Sequence, residues 1–114
     1  MSDDPESIRR EAAILARRKS ARTVSFTRDS PSDWRPRTVI NPEDGQPFTD
    51  AAAWQLIADL LDRGEPLECI ELKYPAGKKG YAMIPLVASR RVYVKFQLGA
   101  GKIIGRSFHY SEQP

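Results

Sequence analysis

Apolar side chains recur at helical spacing in two stretches of the chain and at alternate positions towards its end. In "DDPESIRREAAILARRKSAR", Asp4 is placed to cap a helix, Pro5 fits its first position and Glu6 its first turn. Ile8, Ala12 and Leu15 make a narrow apolar stripe among Arg9, Arg10, Arg17, Arg18, Lys19 and Arg22. The pattern predicts a basic amphipathic helix that docks lightly or is ordered by a partner. Residues 29–47, "DSPSDWRPRTVINPEDGQP", are rich in proline and turn formers and predict an extended connector with at most a short strand at "RTVI". "FTDAAAWQLIADLLDRGEP" is the stronger helix. Thr49 or Asp50 can cap it, Ala53, Leu56, Ile57, Leu60 and Leu61 form its stripe, and Gly64 stands where a left-handed C-cap belongs. Trp54 on its flank is expected in the core.

Strands follow. "LECIELKY" alternates, "PAGKKG" breaks it, and "YAMIPLV" resumes with Pro85 arguing for an edge or a bulge. "SRRVYVKFQL" and "KIIGRSFHY" flank Gly99, Ala100 and Gly101, the signature of a hairpin. If Leu98 pairs with Lys102, Tyr93 lies opposite Ser107 and Arg91 opposite His109. Alternation then sends Arg91, Tyr93, Lys95, Gln97, Ser107 and His109 to a wet face with Gly105. Val92, Val94, Phe96, Leu98, Ile104 and Phe108 go to the core. Arg106 falls on the apolar side of this register, so a sheet edge or a bulge must accommodate it. Two helices ahead of an antiparallel sheet make an α+β domain.

At 114 residues the chain fits one domain, in which residues 1–37 read as a basic helical extension and connector and residues 38–114 as the core. No apolar run approaches the roughly 20 residues of a membrane span, and "MSDDPESIRR" lacks a secretory hydrophobic segment, so the expectation is a cytoplasmic protein that does not enter a membrane. Cys69 stands alone and His109 is the only histidine, which argues against disulfides and zinc. In "LECIEL", Cys69 is expected as a small buried hydrophobe.

The net charge of +3 conceals three blocks. Residues 1–37 carry nine Lys/Arg against six Asp/Glu, and residues 38–71 one against eight. Residues 72–111 carry eight basic side chains and no carboxylate. Such asymmetry is the footprint of a polyanion-binding face, because Lys and Arg gain affinity by displacing counterions from phosphates.

A face of this kind could cleave RNA without a metal or other cofactor. A base must take the ribose 2′-OH proton, cations must hold the charge on the phosphorane, and an acid must protonate the departing oxygen. Histidine is the side chain that most readily exchanges protons near neutral pH, so His109 can serve as base or acid. Tyr93 can position the hydroxyl or donate a proton, and Lys73, Lys78, Lys79 and Arg106 supply cations. "PAGKKGYAM" could lay Lys78 and Lys79 over a phosphate, with Gly77 and Gly80 as hinges. It lacks the Gly-Lys-Ser/Thr order of a P-loop. No acid of this half could orient His109, which argues against Ser107 as a hydrolase nucleophile.

"VYVK", Val92 to Lys95, followed by a turn and "SFH", Ser107 to His109, resembles the motility quorum-sensing regulator (MqsR) toxins. These are messenger-RNA interferases related in fold to RelE-like toxins, and the likeness extends loosely back through "ELKYPAGKKGY". The resemblance implies two helices on a curved antiparallel sheet, no cofactor, and neutralisation by a cognate antitoxin protein. It implies a functional tyrosine at Tyr93, a cation where His109 stands, and an upstream lysine for which Lys73, Lys78 and Lys79 compete. Histidine in place of a lysine is a chemically sensible exchange, since it transfers protons at neutral pH. The longer basic amino terminus and the polar "GR" before "SFH" depart from the pattern.

The expectation is therefore a toxin endoribonuclease that cleaves single-stranded RNA by 2′-OH attack. Its catalytic set is Tyr93, His109, Lys79 and Arg106, and its RNA-binding set is Lys73, Lys78, Tyr81, Arg91, Lys95 and Ser107. The rival is a non-catalytic RNA-binding module in which Tyr93, Phe96, Phe108 and Tyr110 stack bases or fill the core.

Overall fold

Two-residue turns and one bulge set the geometry of this chain, and the computed structural model describes them within residues 4–24, 33–72 and 78–111. The elements are helix α1 (Pro5–Arg17), strands β1 (Arg22–Val24) and β2 (Asp33–Trp34), a 3-10 turn at Pro36–Thr38, and strands β3 (Ile40–Asn41) and β4 (Gln46–Pro47). Helix α2 (Asp50–Asp62) and strands β5 (Glu68–Glu71), β6 (Lys79–Met83), β7 (Leu86–Val87), β8 (Arg90–Gly99) and β9 (Lys102–Tyr110) complete the order. This is an α+β architecture with a mostly antiparallel sheet.

The main sheet runs β1-β9-β8-β6-β5, with β2 also on β9 and β7 also on β8. Both β1 and β2 run parallel to β9, so the sheet is mixed at the edge where an all-antiparallel arrangement was expected. They take successive stretches of the same strand, Arg22 to Val24 facing Ile103 to Gly105 and Asp33 to Trp34 facing Ser107 to Phe108. Among the described residues β3 and β4 form a separate small hairpin. The predicted strand at "RTVI" is reduced to Ile40. Pro36 favours the turn, Thr38 Oγ1 donates to the Arg35 carbonyl at 2.7 Å, and Val39 N–H donates to the Pro36 carbonyl at 2.9 Å.

Helix α2 is built as its sequence predicts. Thr49 Oγ1 accepts from Ala52 N–H at 3.0 Å, and Gly64 adopts φ 81°, which lets the chain turn off the helix. Trp54, Ile57, Leu60 and Leu61 are buried. Helix α1 corrects its reading. Ala12, Ala13, Leu15 and Ala16 are buried in the same cluster as α2 and the sheet, because three small side chains let the two helices approach closely. Arg17 reaches Asp59 at 3.1 Å and Asp62 at 2.7 Å, and Arg9 donates to the Glu65 carbonyl at 2.6 Å. Trp34 joins the cluster too, so residues of the first 37 help to form the core.

The β8–β9 turn is two residues long, Ala100 at φ 53° and Gly101 at φ 72°, not the three-residue loop assumed above. Leu98 therefore pairs with Ile103 and Phe96 with Gly105. A β-bulge then absorbs Arg106, after which Lys95 pairs with Ser107 and Tyr93 with His109. Two assignments are corrected: Gly105 faces the core, where Trp34 packs against it, and Ile104 faces the other side opposite Gln97. Cys69 is exposed, contrary to expectation, because β5 is a sheet edge.

Candidate functional site

Paired residues share a face of a sheet, so the register fixes which side chains meet on the surface turned away from the helices. Tyr93 and His109 are directly opposite one another, their rings stacked with centroids 5.7 Å apart and planes inclined by 27°. His109 Nδ1 lies 2.9 Å from the Tyr110 carbonyl oxygen. A carbonyl only accepts, so in the neutral ring Nδ1 carries the hydrogen and Nε2 keeps the lone pair. The bulge at Arg106 is what brings this pair together. Without it, His109 would shift one position and fall on the core side.

One row below, successive pairings across five strands read Glu68, Ala82, Lys95, Ser107, Asp33. Lys95 stands at the centre between two small, buried side chains, with a carboxylate at each end. Burial lowers the Lys95 ammonium pKa, the positive charge of Arg106 lowers it further, and Asp33 acts in the opposite sense. Burial raises the Tyr93 phenol above its ordinary value, and the Glu68 carboxylate adds to the rise. Tyr93 at neutral pH is thus a hydrogen-bond and proton donor, not a phenolate. Arg106 is only 4% exposed, and this burial lowers its pKa.

The other expected site residues distribute unevenly. Ser107 is on this face and buried beside Lys95. Arg91 lies at its rim, exposed, donating from Nη1 to the Ile84 carbonyl at 3.1 Å. Lys79 and Tyr81 are parted from Tyr93 and His109 by the sheet. Tyr81 pairs with the core residue Phe96, and Lys79, two residues earlier, shares its side in a groove with Pro5, Ile8, Leu67 and Cys69. Placing them with the catalytic and RNA-binding groups is therefore corrected: "KGYAM" is a strand whose parity is set by the pairing of Tyr81 with Phe96. Lys78 is exposed next to the end of β6, and Lys73 lies outside the described residues.

Four residues of this face escaped the sequence reading. Glu68 and Asp33 come from segments outside the carboxylate-free block, so a carboxylate-free span of sequence does not give a carboxylate-free face. Ile84 (45% exposed) and Leu86 (60% exposed) bring apolar surface. Ile84 follows core-facing Met83, and Leu86 pairs with Arg91, which by alternation shares the side of Tyr93. The alternation in "LECIEL" separates Glu68 from Cys69, but only strand pairing tells which of them meets Lys95.

The surface is also less open than its composition implies. Tyr93, Lys95, Gln97 and His109 are half-buried. Phe96 and Phe108 are wholly in the core, and the Tyr110 hydroxyl accepts from Ile40 N–H at 3.0 Å while Arg90 lies 3.6 Å over its ring. Among the described residues no group of His, Cys, Asp or Glu side chains could hold a metal ion, and no helix is long and apolar enough to cross a membrane. No protein-family model matches the chain, and no curated protein or solved structure resembles it significantly.

Proposed function

We propose that the chain is a metal-independent endoribonuclease of the toxin kind, acting on single-stranded RNA through the face that carries Tyr93 and His109. The observation that carries this reading is the ring pair itself, one member with a free basic nitrogen and the other a neutral phenol, beside the ammonium group of Lys95. In the reaction, His109 Nε2 takes the 2′-OH proton, O2′ bonds to phosphorus, and the P–O5′ bond breaks. The Tyr93 phenol gives its proton to O5′. The products carry a 2′,3′-cyclic phosphate and a 5′-hydroxyl. Lys95 meets the phosphate, while Arg106, buried at the bulge, acts through its charge and by shaping the strand.

The resemblance of "VYVK" and "SFH" to the MqsR and RelE-like toxins supports the same reading, since it falls on these two strands. In that reading the protein acts on cytoplasmic RNA, and a cognate antitoxin covers this face. In the rival reading, a non-catalytic RNA-binding module, Phe96 and Phe108 fill the core, which leaves Tyr93 and Tyr110 as the rings for stacking bases.

The test is incubation of the purified protein with a long single-stranded RNA in excess EDTA, beside His109→Ala and Tyr93→Phe, with product ends identified. Cyclic phosphate ends, with rates about 10²–10⁴-fold lower in the variants, are expected. A folded His109→Ala protein that cleaves at the wild-type rate would overturn the assignment.

A further inference from the structure

A carboxylate on a face that must hold polyanionic phosphate weakens binding by charge repulsion unless it receives a hydrogen-bond donor from the ligand. Glu68 is such a group. It is exposed on edge strand β5, it shares a row with Lys95, and it has no hydrogen bond or ion pair among the described residues. Two strand spacings, about 10 Å, separate their backbones, a span comparable to that from a nucleotide's phosphate to the far edge of its base. Ala82, the residue between them, is small, so its own side chain does not reach across the span. Along the adjoining row lie the Tyr93 ring, stacked on His109, and the exposed side chain of Ile84. A flat aromatic surface beside aliphatic carbon is what an unstacked base needs under it.

We propose that Glu68 reads the base of the bound RNA, its two carboxylate oxygens accepting the N1–H and the exocyclic N–H of a guanine that lies against the Tyr93 ring. Guanine alone among the four bases presents two such donors side by side on its pairing edge. Adenine and cytosine each place an acceptor beside their amino group, and uracil has one donor between two acceptors. A carboxylate has acceptors only, so guanine alone satisfies both oxygens. This inference rests on RNA being the ligand of the face, and it adds the base that the face selects.

The experiment uses the full chain, a pool of RNAs randomised around one position, and a second pool with inosine in place of guanine. Product ends are mapped for cleavage, and binding of short guanine-, adenine- and uracil-containing oligonucleotides is measured in low salt. The expected result is enrichment of guanine at one position next to the cut. Inosine, which lacks the amino group, and Glu68→Gln, which offers a donor of the same shape, should reduce that enrichment by about 5- to 150-fold while cleavage continues. Cleavage without a guanine preference, or a preference that survives Glu68→Gln, overturns the proposal. Guanine-selective binding lost in Glu68→Gln, with no cleavage by the wild type, overturns the ribonuclease reading and leaves the base site standing. No base preference in either binding or cleavage removes it.

Discussion

Replacing Gly105 by alanine tests the register on which the site depends. A glycine-to-alanine change in a regular strand would normally stabilise the chain by about 0.4–1 kcal/mol, because it narrows the unfolded ensemble. Here the added Cβ would sit 2.7 Å from Trp34 Cε3 and Cζ3 and 3.2 Å from Cδ2. Ordinary carbon contacts lie near 3.5–4.0 Å, so the indole would have to retreat by about 1 Å. It has little room to do so. Its ring centroid is 4.7 Å from that of Trp54 and 5.6 Å from that of Phe108, and its Nε1–H donates to Asp50 at 3.2 Å. Overpacking of this kind costs about 1–3 kcal/mol, leaving a net loss of about 1–2 kcal/mol and a fall in Tm on the order of 5–10 °C. Thermal unfolding followed by far-UV circular dichroism reads it. In a Trp34→Leu background the same change should become neutral or stabilising, which makes the coupling specific to this contact. An unchanged or raised Tm in the wild-type background would refute the placement of Gly105 on the core face, and with it the bulge that aligns Tyr93 with His109.

Ala100→Asn should stabilise the β8–β9 hairpin by about 1 kcal/mol, since alanine at φ 53° bears a steric penalty that asparagine tolerates, and the pair Asn-Gly suits the turn; a lower denaturation midpoint would count against it. Tyr93 ionises above its ordinary value of 10.0, so its contribution to stability is present below pH 10 and is lost as pH rises through the folded value. Phenolate absorbance titration of the native protein should therefore show a late component that is absent in Tyr93→Phe. Glu68→Gln should move that component to lower pH, and no movement would remove Glu68 from the neighbourhood of the phenol.

The helices and the hairpin were legible because their signals are local. Capping at Thr49, the reversal at Gly64 and the alternation in "VYVKFQL" each act within a few residues. The face chemistry was legible in part: Tyr93 and Lys95 share a side by simple alternation, but His109 joins them in the observed two-residue turn only because of the bulge at Arg106, where the three-residue loop would have needed none. What could not be read was set by distant partners. Lys79 and Tyr81 belong to the helix side because Phe96 pairs with Tyr81, and Cys69 is exposed because nothing flanks β5 beyond it among the described residues. Glu68 and Asp33 reach Lys95 only through pairings of β5 with β6 and of β2 with β9. Helix α1 was underrated because alanines contribute little to an apolar stripe on paper, yet they permit close helix contact.

The position of β9 has a consequence for how the protein is made. This strand is the last of the described elements to be synthesised, yet it lies between β8 and the strands that begin the chain, pairing Ile103 with Arg22 across 81 positions of sequence (103 − 22). Contacts of such separation form slowly. Until β9 emerges from the ribosome, β8 has one open edge, the indole of Trp34 lacks its partner Phe108, and His109 does not yet exist beside Tyr93. A nascent chain therefore carries an unpaired β8 edge, and that edge is the place where a stalled or truncated product would begin to aggregate.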